Sequence, residues 1–296
     1  MTTVDRAEAA FTSAGAGRVR HARAAARPYV AGVAVVATPA TYPGRVPESL
    51  TTETPVPRYR TQPVSFVRRS ARLTKSQQKA WDTKRDRYLV EVPRALAATS
   101  VDPAWRFDAE AVFGRCAPLV VEIGSGQGEA IVAAADAHPE RDHLAVEVYT
   151  PGLAQTIVRA ERCRERRGLD NLRLLQVNAA ELLETALPPA SADEVWVFFP
   201  DPWHKSRHHK RRLVRPSFAT QVARVLRPGG VLRLATDWAE YAAHMLQVLD
   251  ACEDLVNAHG RGGVAPRFEG RVLTSFERKG REAGREVTDL EYVRPS

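Results

Sequence analysis

The stretch Val195-Trp196-Val197-Phe198-Phe199-Pro200-Asp201-Pro202-Trp203-His204-Lys205 organises this chain of 296 residues. Five apolar residues of strand character end at a proline, and an aspartate, a second proline, a tryptophan and a lysine follow. In open α/β sheets, ligands bind outside the carboxyl ends of the strands. The stretch therefore predicts that Asp201 stands at a ligand site, although a proline-rich turn beside a solvated charge run would give the same pattern.

A dense basic run follows at once. The whole chain carries 43 Lys and Arg against 35 Asp and Glu, which gives a formal net charge of +8. This excess favours a polyanionic partner, most simply a nucleic acid whose phosphates the run can neutralise. A basic surface that serves only solubility is the other interpretation. The candidate RNA-binding residues are Arg207, His208, His209, Lys210, Arg211 and Arg212.

Cysteine usage bounds the compartment and the metal chemistry. The three cysteines are far apart in sequence and form no Cys-x-x-Cys pair. The histidines of the basic run have no acid or cysteine at ligand spacing. The pattern predicts a reducing compartment, with neither a disulfide framework nor a metal site.

The character of the chain changes near residue 60. Residues 1–60 are rich in Ala, Arg, Thr and Pro, which predicts a disordered extension before a domain at 61–296. The apolar run 30–37 is too short to span a membrane, for which about 20 residues are needed, so no membrane partner is expected. Residues 61–100 form a basic arm that either follows a nucleic-acid backbone or caps the domain as an amphipathic helix.

From residue 119 onward, short apolar runs alternate with helical patterns. This rhythm predicts the α/β class, with a doubly wound, mostly parallel sheet covered by helices on both faces. A turn is expected at 227–230, and a C-terminal antiparallel hairpin within 272–293, around glycines at 280–284, is expected to close the sheet. The predicted strands are 119–123, 143–148, 172–177, 194–199 and 231–236, and the predicted helices are 127–137, 152–166, 179–187, 218–226 and 239–251.

The first predicted strand ends in Glu122-Ile123-Gly124-Ser125-Gly126-Gln127-Gly128. Glycines at this place let the backbone turn sharply and approach a ligand ahead of a helix. The third glycine comes one residue too early for the dinucleotide fingerprint G-x-G-x-x-G, which argues against a nicotinamide dehydrogenase. The Glu-x-Gly-x-Gly-x-Gly form resembles motif I of the Rossmann-like methyltransferases, which bind S-adenosylmethionine.

Polar side chains at successive strand ends complete this candidate cofactor site. Glu122 suits the cationic amino group of the methionine part of the cofactor. Glu147, at the end of the second strand, suits the ribose hydroxyls, and Asn178, at the end of the third, can donate to and accept from the adenine edge. The candidate cofactor-binding residues are Glu122, Gly124, Gly126, Gly128, Glu147, Asn178 and Asp201.

Longer motifs make the resemblance specific. Across residues 65–294 the chain resembles the bacterial tRNA (guanine-N7)-methyltransferase family, whose fold is the Rossmann-like sheet of the class I methyltransferases. The string Phe-Phe-Pro-Asp-Pro-Trp-His-Lys and the motif Thr-x-Phe-Glu are its most unusual parts. The resemblance is carried by Ser65-Phe66-Val67-Arg68-Arg69, Arg72-Leu73-Thr74, Glu122 to Gly128, Val146-Glu147-Val148, Pro151-Gly152, Phe198 to Lys205, Arg207, Lys210-Arg211-Arg212, Ala235-Thr236-Asp237-Trp238, Tyr241, His244-Met245 and Thr274 to Gly280.

This resemblance implies a metal-free, cytoplasmic enzyme with tRNA as its partner. It implies methyl transfer from S-adenosylmethionine to N7 of a guanine in the tRNA variable loop, usually position 46, with Asp201 at the reaction centre. The substrate-binding residues that it implies are Lys205, Asp237, Thr274, Ser275, Phe276 and Glu277. There are two departures: an Asp often stands where this chain has Asn178, and a Lys often stands where it has Ser275.

The chemistry of guanine N7 agrees with these residue types. N7 carries an in-plane lone pair and no proton at neutral pH, so it needs no general base. Asp201 and Asp237 are the carboxylates that would stabilise positive charge on the purine. Lys205 would donate to O6 or to a phosphate, and Trp203 would stack on the base. The structural alternatives are helix N-caps for the two aspartates and core packing for Trp203.

Rival functions remain open at this point. They are another RNA base methyltransferase of the same fold and a non-catalytic RNA-binding subunit. The latter would be expected to lose the cofactor acids while keeping the basic run, and this chain has both. The sequence does not decide between a monomer and a homodimer.

Overall fold

The computed structural model describes residues 72–164 and 169–296. The predicted extension at 1–60, the basic motif that begins at Ser65, and the predicted helix end at residue 166 lie outside the described residues.

One sheet organises the described chain. Its strands are β1 Leu119–Ile123, β2 Asp142–Val146, β3 Leu172–Leu175, β4 Ala192–Phe198, β5 Leu226–Thr236, β6 Val256–Asn257 and β7 Thr288–Val293. They pair in the order β3-β2-β1-β4-β5-β7-β6. β1 to β5 run parallel, and β7 runs antiparallel to both of its neighbours. The chain leaves β1 on one side and returns to β4 on the other, which creates the crevice where sheets of this kind bind ligands.

Helices cover the sheet. They are α1 Lys75–Tyr88, α2 Ala109–Phe113, α3 Glu129–Ala137, α4 Thr150–Arg164, α5 Ala179–Glu181, α6 Pro216–Val225, α7 Ala239–Leu249 and α8 Ser275–Glu282. A π-helical turn at Leu182–Ala186 follows α5, and a 3₁₀ helix spans Ser206–Arg211. α1 begins in a capping box, in which the Thr74 hydroxyl accepts from the Gln77 amide at 3.3 Å and the Gln77 side chain accepts from the Thr74 amide at 2.9 Å.

Alternate residues of β4 face opposite sides of the sheet, as the period of a strand requires. Val195 and Val197 belong to a core shared with α6 and α7, whereas Trp196 and Phe198 belong to a second core shared with α3 and α4. Both faces of the parallel sheet are therefore buried, which explains the almost continuous apolar runs of its strands. The prediction of a doubly wound, Rossmann-like α/β sheet is confirmed.

The prediction of a turn at 227–230 that separates a helix from a strand is wrong, because β5 runs through these residues. β5 already pairs with β4 at Leu226, opposite Ala192, and the pairing resumes with Val231 opposite Glu194. The residues between bulge out of the β4 ladder, and Gly229 within them has φ +76°. The bulge keeps its backbone bonded to the opposite side, where the amide of Gly229 donates to Arg294 at 2.8 Å.

The C-terminal closure is antiparallel as predicted, but the predicted hairpin is wrong in its parts. The segment expected to hold the first strand and the turn contains α8, and the strand that pairs with β7 from the outside is β6, which precedes it by about 30 residues. α8 forms because Thr274 caps it, with its hydroxyl accepting from the Glu277 amide at 3.1 Å.

Two findings concern membranes and metals. None of the helices described has both the length and the apolar character needed to cross a bilayer. Within 72–164 and 169–296, no three His, Cys, Asp or Glu side chains come together as ligands for a metal ion.

Candidate active site

The glycine loop lies between β1 and α3 and is closely covered by α4. A Cβ added to Gly152 would stand 2.3 Å from the carbonyl oxygen of Gly126, and one added to Gly128 would stand 2.4 Å from the Thr156 hydroxyl. Gly128 also has φ +72° as the N-cap of α3. The motif therefore needs glycine both for the turn and for the approach of a neighbouring helix.

Glu122, on β1, is a buried carboxylate that lacks a full set of partners. The residue is 4% exposed, and its Oε2 atom has no hydrogen-bond partner among the described residues. Burial raises the pKa of this carboxyl to about 8, and the nearby charge of Glu147 adds to the rise, whereas a hydrogen bond from the Ile131 backbone opposes it. A buried carboxylate oxygen of this kind is suited to a cation that enters with a ligand.

Glu147 follows β2 and faces the glycine loop. Its Oε2 accepts from the Gly126 amide at 3.0 Å, and its Oε1 accepts from the amides of Val148 and Tyr149 at 2.7 and 2.9 Å. Burial raises the pKa of Glu147, these backbone donors lower it, and the charge of Asp201 raises it further. Glu147 is therefore close enough to interact electrostatically with both Glu122 and Asp201.

Asn178, predicted to recognise adenine, has a structural duty as well. Its side-chain oxygen caps α5, accepting from the amides of Ala180 at 2.9 Å and Glu181 at 3.4 Å. Its backbone amide donates to the carbonyl of Thr99 at 2.7 Å. The prediction that this side chain both donates to and accepts from a base is revised: the oxygen serves the helix, and the side-chain NH₂ is the group left to donate to a ligand.

A strained loop carries Asp201. Phe199 and Trp203, on either side of Pro200-Asp201-Pro202, have φ values of +53° and +50°, which non-glycine residues adopt rarely. Phe199 is fixed by its amide, which donates to the carbonyl of Ala235 at 2.7 Å. Asp201 itself is exposed and lies where its charge reaches Glu147. Backbone strain held by surrounding contacts is typical of a functional loop.

The basic run forms the 3₁₀ helix beside this loop. Arg207 and Lys210 are exposed, and so is Lys205 just before the helix. The guanidinium of Arg211 lies 5.1 Å from the centre of the Trp203 ring, and His208 meets the same ring edge-on. Trp203 is thus half-exposed and flanked by basic side chains rather than packed in the core.

Arg212, predicted to contact RNA, points inward. Its side chain is 1% exposed. Its Nε donates to the Pro202 carbonyl at 2.9 Å, its guanidinium forms a salt bridge with Glu240, and it lies 4.8 Å from the centre of the Tyr241 ring. His209 lies against the same guanidinium at 3.0 Å. The Arg212 prediction is therefore wrong: this residue holds the Asp201 loop to α7 instead of facing solvent.

The Thr-x-Phe-Glu motif begins α8 against the glycine loop. Thr274 caps the helix, while the amide and hydroxyl of Ser275 both donate to the carboxylate of Glu129, at 2.6 and 2.7 Å. Phe276 is 47% exposed, and its ring packs 5.2 Å from the ring of Phe199. Ser275 is committed to the protein, whereas Phe276 stays open beside the Asp201 loop.

Glu277, predicted to bind substrate, is completely buried. Its carboxylate forms ion pairs with Arg267, Arg271 and Arg281. Arg271 is also 0% exposed and donates to Asp289 on β7. The prediction of direct contact by Glu277 is wrong, because its oxygens hold α8 to the sheet.

Asp237 lies at the end of β5 and is paired from the tail of the chain. Its side chain is 12% exposed, and Arg285 approaches its Oδ2 atom at 2.7 Å. A Cβ on Gly280 would stand 3.0 Å from the same oxygen. A guanidinium therefore occupies one face of the carboxylate that was predicted to meet the substrate.

Comparisons with known proteins show the family to which the chain belongs. A family model described as "Putative methyltransferase" matches residues 116–290. A tRNA (guanine-N(7)-)-methyltransferase of Arthrobacter sp. (strain FB24) is 48% identical, with 80% of this chain and 88% of the relative covered. Those of Cutibacterium acnes and Methylococcus capsulatus are 49% and 46% identical, with 78% of this chain and 83% and 93% of the relatives covered. The chain belongs to the tRNA (guanine-N(7)-)-methyltransferase family.

Among solved structures, the 16S rRNA (adenine(1408)-N(1))-methyltransferase from Catenulisporales acidiphilia is similar with a TM-score of 0.46 and 22% identity, over 70% of this chain and 99% of that chain. The membership of the family rests on the sequence relatives alone. Membership of this family confirms the prediction of a methyltransferase that uses S-adenosylmethionine.

The residues present fit that methyl donor. Its sulfonium and amino groups are cationic, and the crevice offers the unpartnered Oε2 of Glu122 together with the charges of Glu147 and Asp201. Gly152 packs closely against Gly126 of the glycine loop. Glu147 accepts a hydrogen bond from the same loop and lies where it would bind the ribose hydroxyls of the donor. When bound, the donor would supply an electrophilic methyl group at this crevice.

Sequence reasoning missed three residues that organise the site. Glu129, Arg271 and Arg285 each fix a predicted site residue, namely Ser275, Glu277 and Asp237. Glu129 was signalled by its place directly after the last glycine of the loop. Nothing in the local pattern separates Arg271 or Arg285 from the other arginines of a basic tail.

Proposed function

We propose that this protein transfers the methyl group of S-adenosylmethionine to N7 of a guanine in tRNA, at position 46 of the variable loop. The curated relatives, named for guanine-N(7) methylation of tRNA, support the reaction. The observation that carries it in this chain is the strained loop that holds exposed Asp201 where its charge reaches Glu147, directly before the basic 3₁₀ helix.

The reaction requires alignment of guanine N7 with the methyl group and needs no proton transfer to start. Guanine N7 has a free in-plane lone pair, so the protein must bring it in line with the methyl group and tolerate positive charge on the purine. Alignment of this kind can supply up to ~7–11 kcal/mol of the barrier reduction. The loop that follows β4 is suited to that task, because hydrogen bonds fix its backbone at two places. The Phe199 amide donates to the sheet, and Arg212 donates to the Pro202 carbonyl.

Asp201 is the residue that we place at the reacting base. Its carboxylate is exposed at the mouth of the crevice and would stabilise the purine as positive charge develops, or accept from its N1–H and N2–H edge. Asp237 is the second candidate for that edge, but its Oδ2 atom already accepts from Arg285. Lys205 would donate to O6 or to a neighbouring phosphate.

Exposed cations next to the loop would hold the RNA. Lys205, Arg207 and Lys210 face solvent, and the Trp203 ring beside Arg211 offers a stacking face for an unpaired base. Phosphate contacts of this type position a substrate without reading its sequence. The variable loop, whose bases are accessible, is the kind of RNA that this surface suits.

The test is nucleoside mass spectrometry of tRNA incubated with the protein and S-adenosylmethionine. Wild type should form 7-methylguanosine, and Asp201→Asn should lose most of the rate while its affinity for the donor falls far less. Asp254→Asn, a matched change of an exposed aspartate outside the site, should behave as wild type. A methyl group on another atom, or an unchanged rate for Asp201→Asn, would count against the assignment.

The position is tested separately. A tRNA transcript with adenine in place of guanine 46 should not be methylated, whereas the same transcript with guanine restored should be. Continued formation of 7-methylguanosine in the altered transcript would move the target to another guanine and leave the reaction itself intact.

A further inference from the structure

Glu129 joins the glycine loop to the start of α8. We propose that it is a positioning residue that couples binding of the methyl donor to the order of the Thr-x-Phe-Glu motif, so that donor and tRNA strengthen each other's binding. This inference rests on the proposed function, because it takes tRNA as the second ligand. Its basis is a set of contacts that joins three helices through one carboxylate.

The contact with α8 is made to a helix end. The first amides of a helix have no partner within the helix. Glu129 accepts from the Ser275 amide at 2.6 Å and from the Ser275 hydroxyl at 2.7 Å, while Thr274 satisfies a further amide of the same turn. An ionised carboxylate at this end is also favoured by the helix dipole. The start of α8 is therefore held by a residue of another element.

The same carboxylate is fixed to the glycine loop and to α4. Arg159 donates to Glu129 at 2.8 Å and, through Nε, to the carbonyl of Gln127 at 3.1 Å. The Glu129 side chain is 18% exposed. Burial alone would raise its pKa, but the bonds from Ser275 and the charges of Arg159 and Arg278 outweigh that effect and lower it. The carboxylate thus stays ionised in its role as acceptor.

A ligand that orders the glycine loop will also order Glu129, and through it the α8 start. On that helix Phe276 is exposed and packs on Phe199, at the edge of the Asp201 loop. Coupling between two ligands is reciprocal: if the donor raises the affinity for tRNA by a factor, tRNA raises the affinity for the donor by the same factor. Glu129 provides a physical connection between the two sites.

The experiment measures tRNA affinity with and without saturating S-adenosylhomocysteine, the unreactive product of the donor. Wild type should bind tRNA more tightly when S-adenosylhomocysteine is present. Glu129→Ala, which loses both bonds from Ser275 and the one from Arg159, should remove most of an enhancement that is expected to be on the order of tenfold. Glu129→Gln, which can still accept from the Ser275 amide, should retain part of it. Ser275→Ala, which loses only the hydroxyl bond, should lie between wild type and Glu129→Ala.

Two controls separate coupling from general damage. Glu110→Ala makes the same change at an exposed position in the first turn of α2 and should leave the enhancement as in wild type. If Glu129→Ala does not fold, Ser275→Ala alone decides, because it leaves the amide contact in place. An equal enhancement in wild type and Ser275→Ala, or none in wild type, would overturn the coupling.

Failure of the coupling and failure of the proposed function give different results. Wild type that forms 7-methylguanosine but shows no dependence of tRNA affinity on S-adenosylhomocysteine refutes the coupling alone. Wild type that forms no 7-methylguanosine refutes the proposed function on which the inference rests.

Discussion

The Nε atom of Arg212 donates to the carbonyl oxygen of Pro202 at 2.9 Å, from a side chain that is almost wholly buried. The donor stands at the end of the basic 3₁₀ helix, and the acceptor belongs to the strained loop next to Asp201. The same guanidinium reaches Glu240 on α7. The basic run therefore contains one arginine that supports the loop and several cations that face solvent.

Arg212→Ala should destabilise the fold and impair catalysis together. It removes the bond to Pro202 and the buried pairing with Glu240, which predicts a loss of about 1–3 kcal/mol in the free energy of unfolding. Urea unfolding measures this loss. Arg207→Ala, at an exposed position of the same helix, should change the free energy of unfolding by less than about 0.5 kcal/mol. Equal stabilities for the two variants would contradict the structural role of Arg212.

The cations of the 3₁₀ helix, as distinct from buried Arg212, should carry the salt dependence of tRNA binding. The triple change Arg207→Ala, Lys210→Ala and Arg211→Ala should weaken binding and flatten the slope of log affinity against log salt concentration, by ~0.7 for each phosphate of single-stranded RNA that the variant no longer neutralises. Binding measured at several salt concentrations gives the slope. Arg212→Ala at the same temperature should leave it close to wild type, because that side chain does not face solvent. A triple variant with an unchanged slope would mean that this helix does not touch phosphate.

β4 and the basic 3₁₀ helix show which features of the site can be predicted from the sequence and which cannot. β4 was predictable because a buried parallel strand needs an apolar run, and because Pro200 cannot continue the ladder. Parallel order then places Glu122, Glu147 and Asp201 at one edge of the sheet without knowledge of any contact. Which of three consecutive cations turns inward depends on Glu240, which is distant in sequence, so the local pattern could not separate Arg212 from Arg211.

The C-terminal segment was mispredicted for a related reason. Val272, Leu273 and Phe276 give it an apolar, strand-like look, but all three are at least partly exposed, and the helix between Ser275 and Glu282 is held by charges. Its buried side chain is that of Glu277, whose partners Arg267 and Arg271 precede the motif and whose partner Arg281 follows it. Hydrophobic periodicity does not detect an element whose buried face consists of ion pairs.

The ligand-free protein should lose stability as the pH rises from about 4.5 to about 8, in part because of Glu122. Its folded-state pKa of about 8 lies above the ordinary value of 4.5, so the folded protein binds an extra proton between those pH values. The free energy of unfolding then falls as the pH rises through this range. Glu122→Gln, which has no such proton, should flatten that dependence in urea unfolding, and an unchanged dependence would refute the assignment.

Binding of the donor should lower the pKa of Glu122, which is raised in the ligand-free protein. A cation that enters beside Glu122 favours its charged form and lowers its pKa, so binding near pH 7 should release a proton. Calorimetry in two buffers with different ionisation enthalpies measures that proton. Glu122→Gln should release less and should bind S-adenosylmethionine more weakly by about 1.5–3 kcal/mol, as for a lost bond to a charged group. The matched change Glu253→Gln, at an exposed site, should do neither.

Substitution of Arg271 should cause the largest loss of stability among these variants. Its guanidinium donates to Glu277 and, with both oxygens at 2.8 Å, to Asp289, and it lies 5.3 Å from the centre of the Phe199 ring. Arg271→Leu would leave two buried carboxylates without their shared cation, which predicts a loss of about 3–5 kcal/mol. Arg267→Ala, which removes a partner of Glu277 that is one-third exposed, should cost less than about 1 kcal/mol.

A second substitution tests whether the lost stability comes from the uncompensated charge. Adding Glu277→Leu to Arg271→Leu removes one of the stranded carboxylates, and buried ion pairs replaced by apolar residues of similar size are often near neutral. The double variant should therefore recover part of the loss measured by urea unfolding. Because the same guanidinium packs on Phe199, the double variant should still methylate slowly even where it is stable. A double variant less stable than Arg271→Leu would show that packing, rather than charge, dominates at this position.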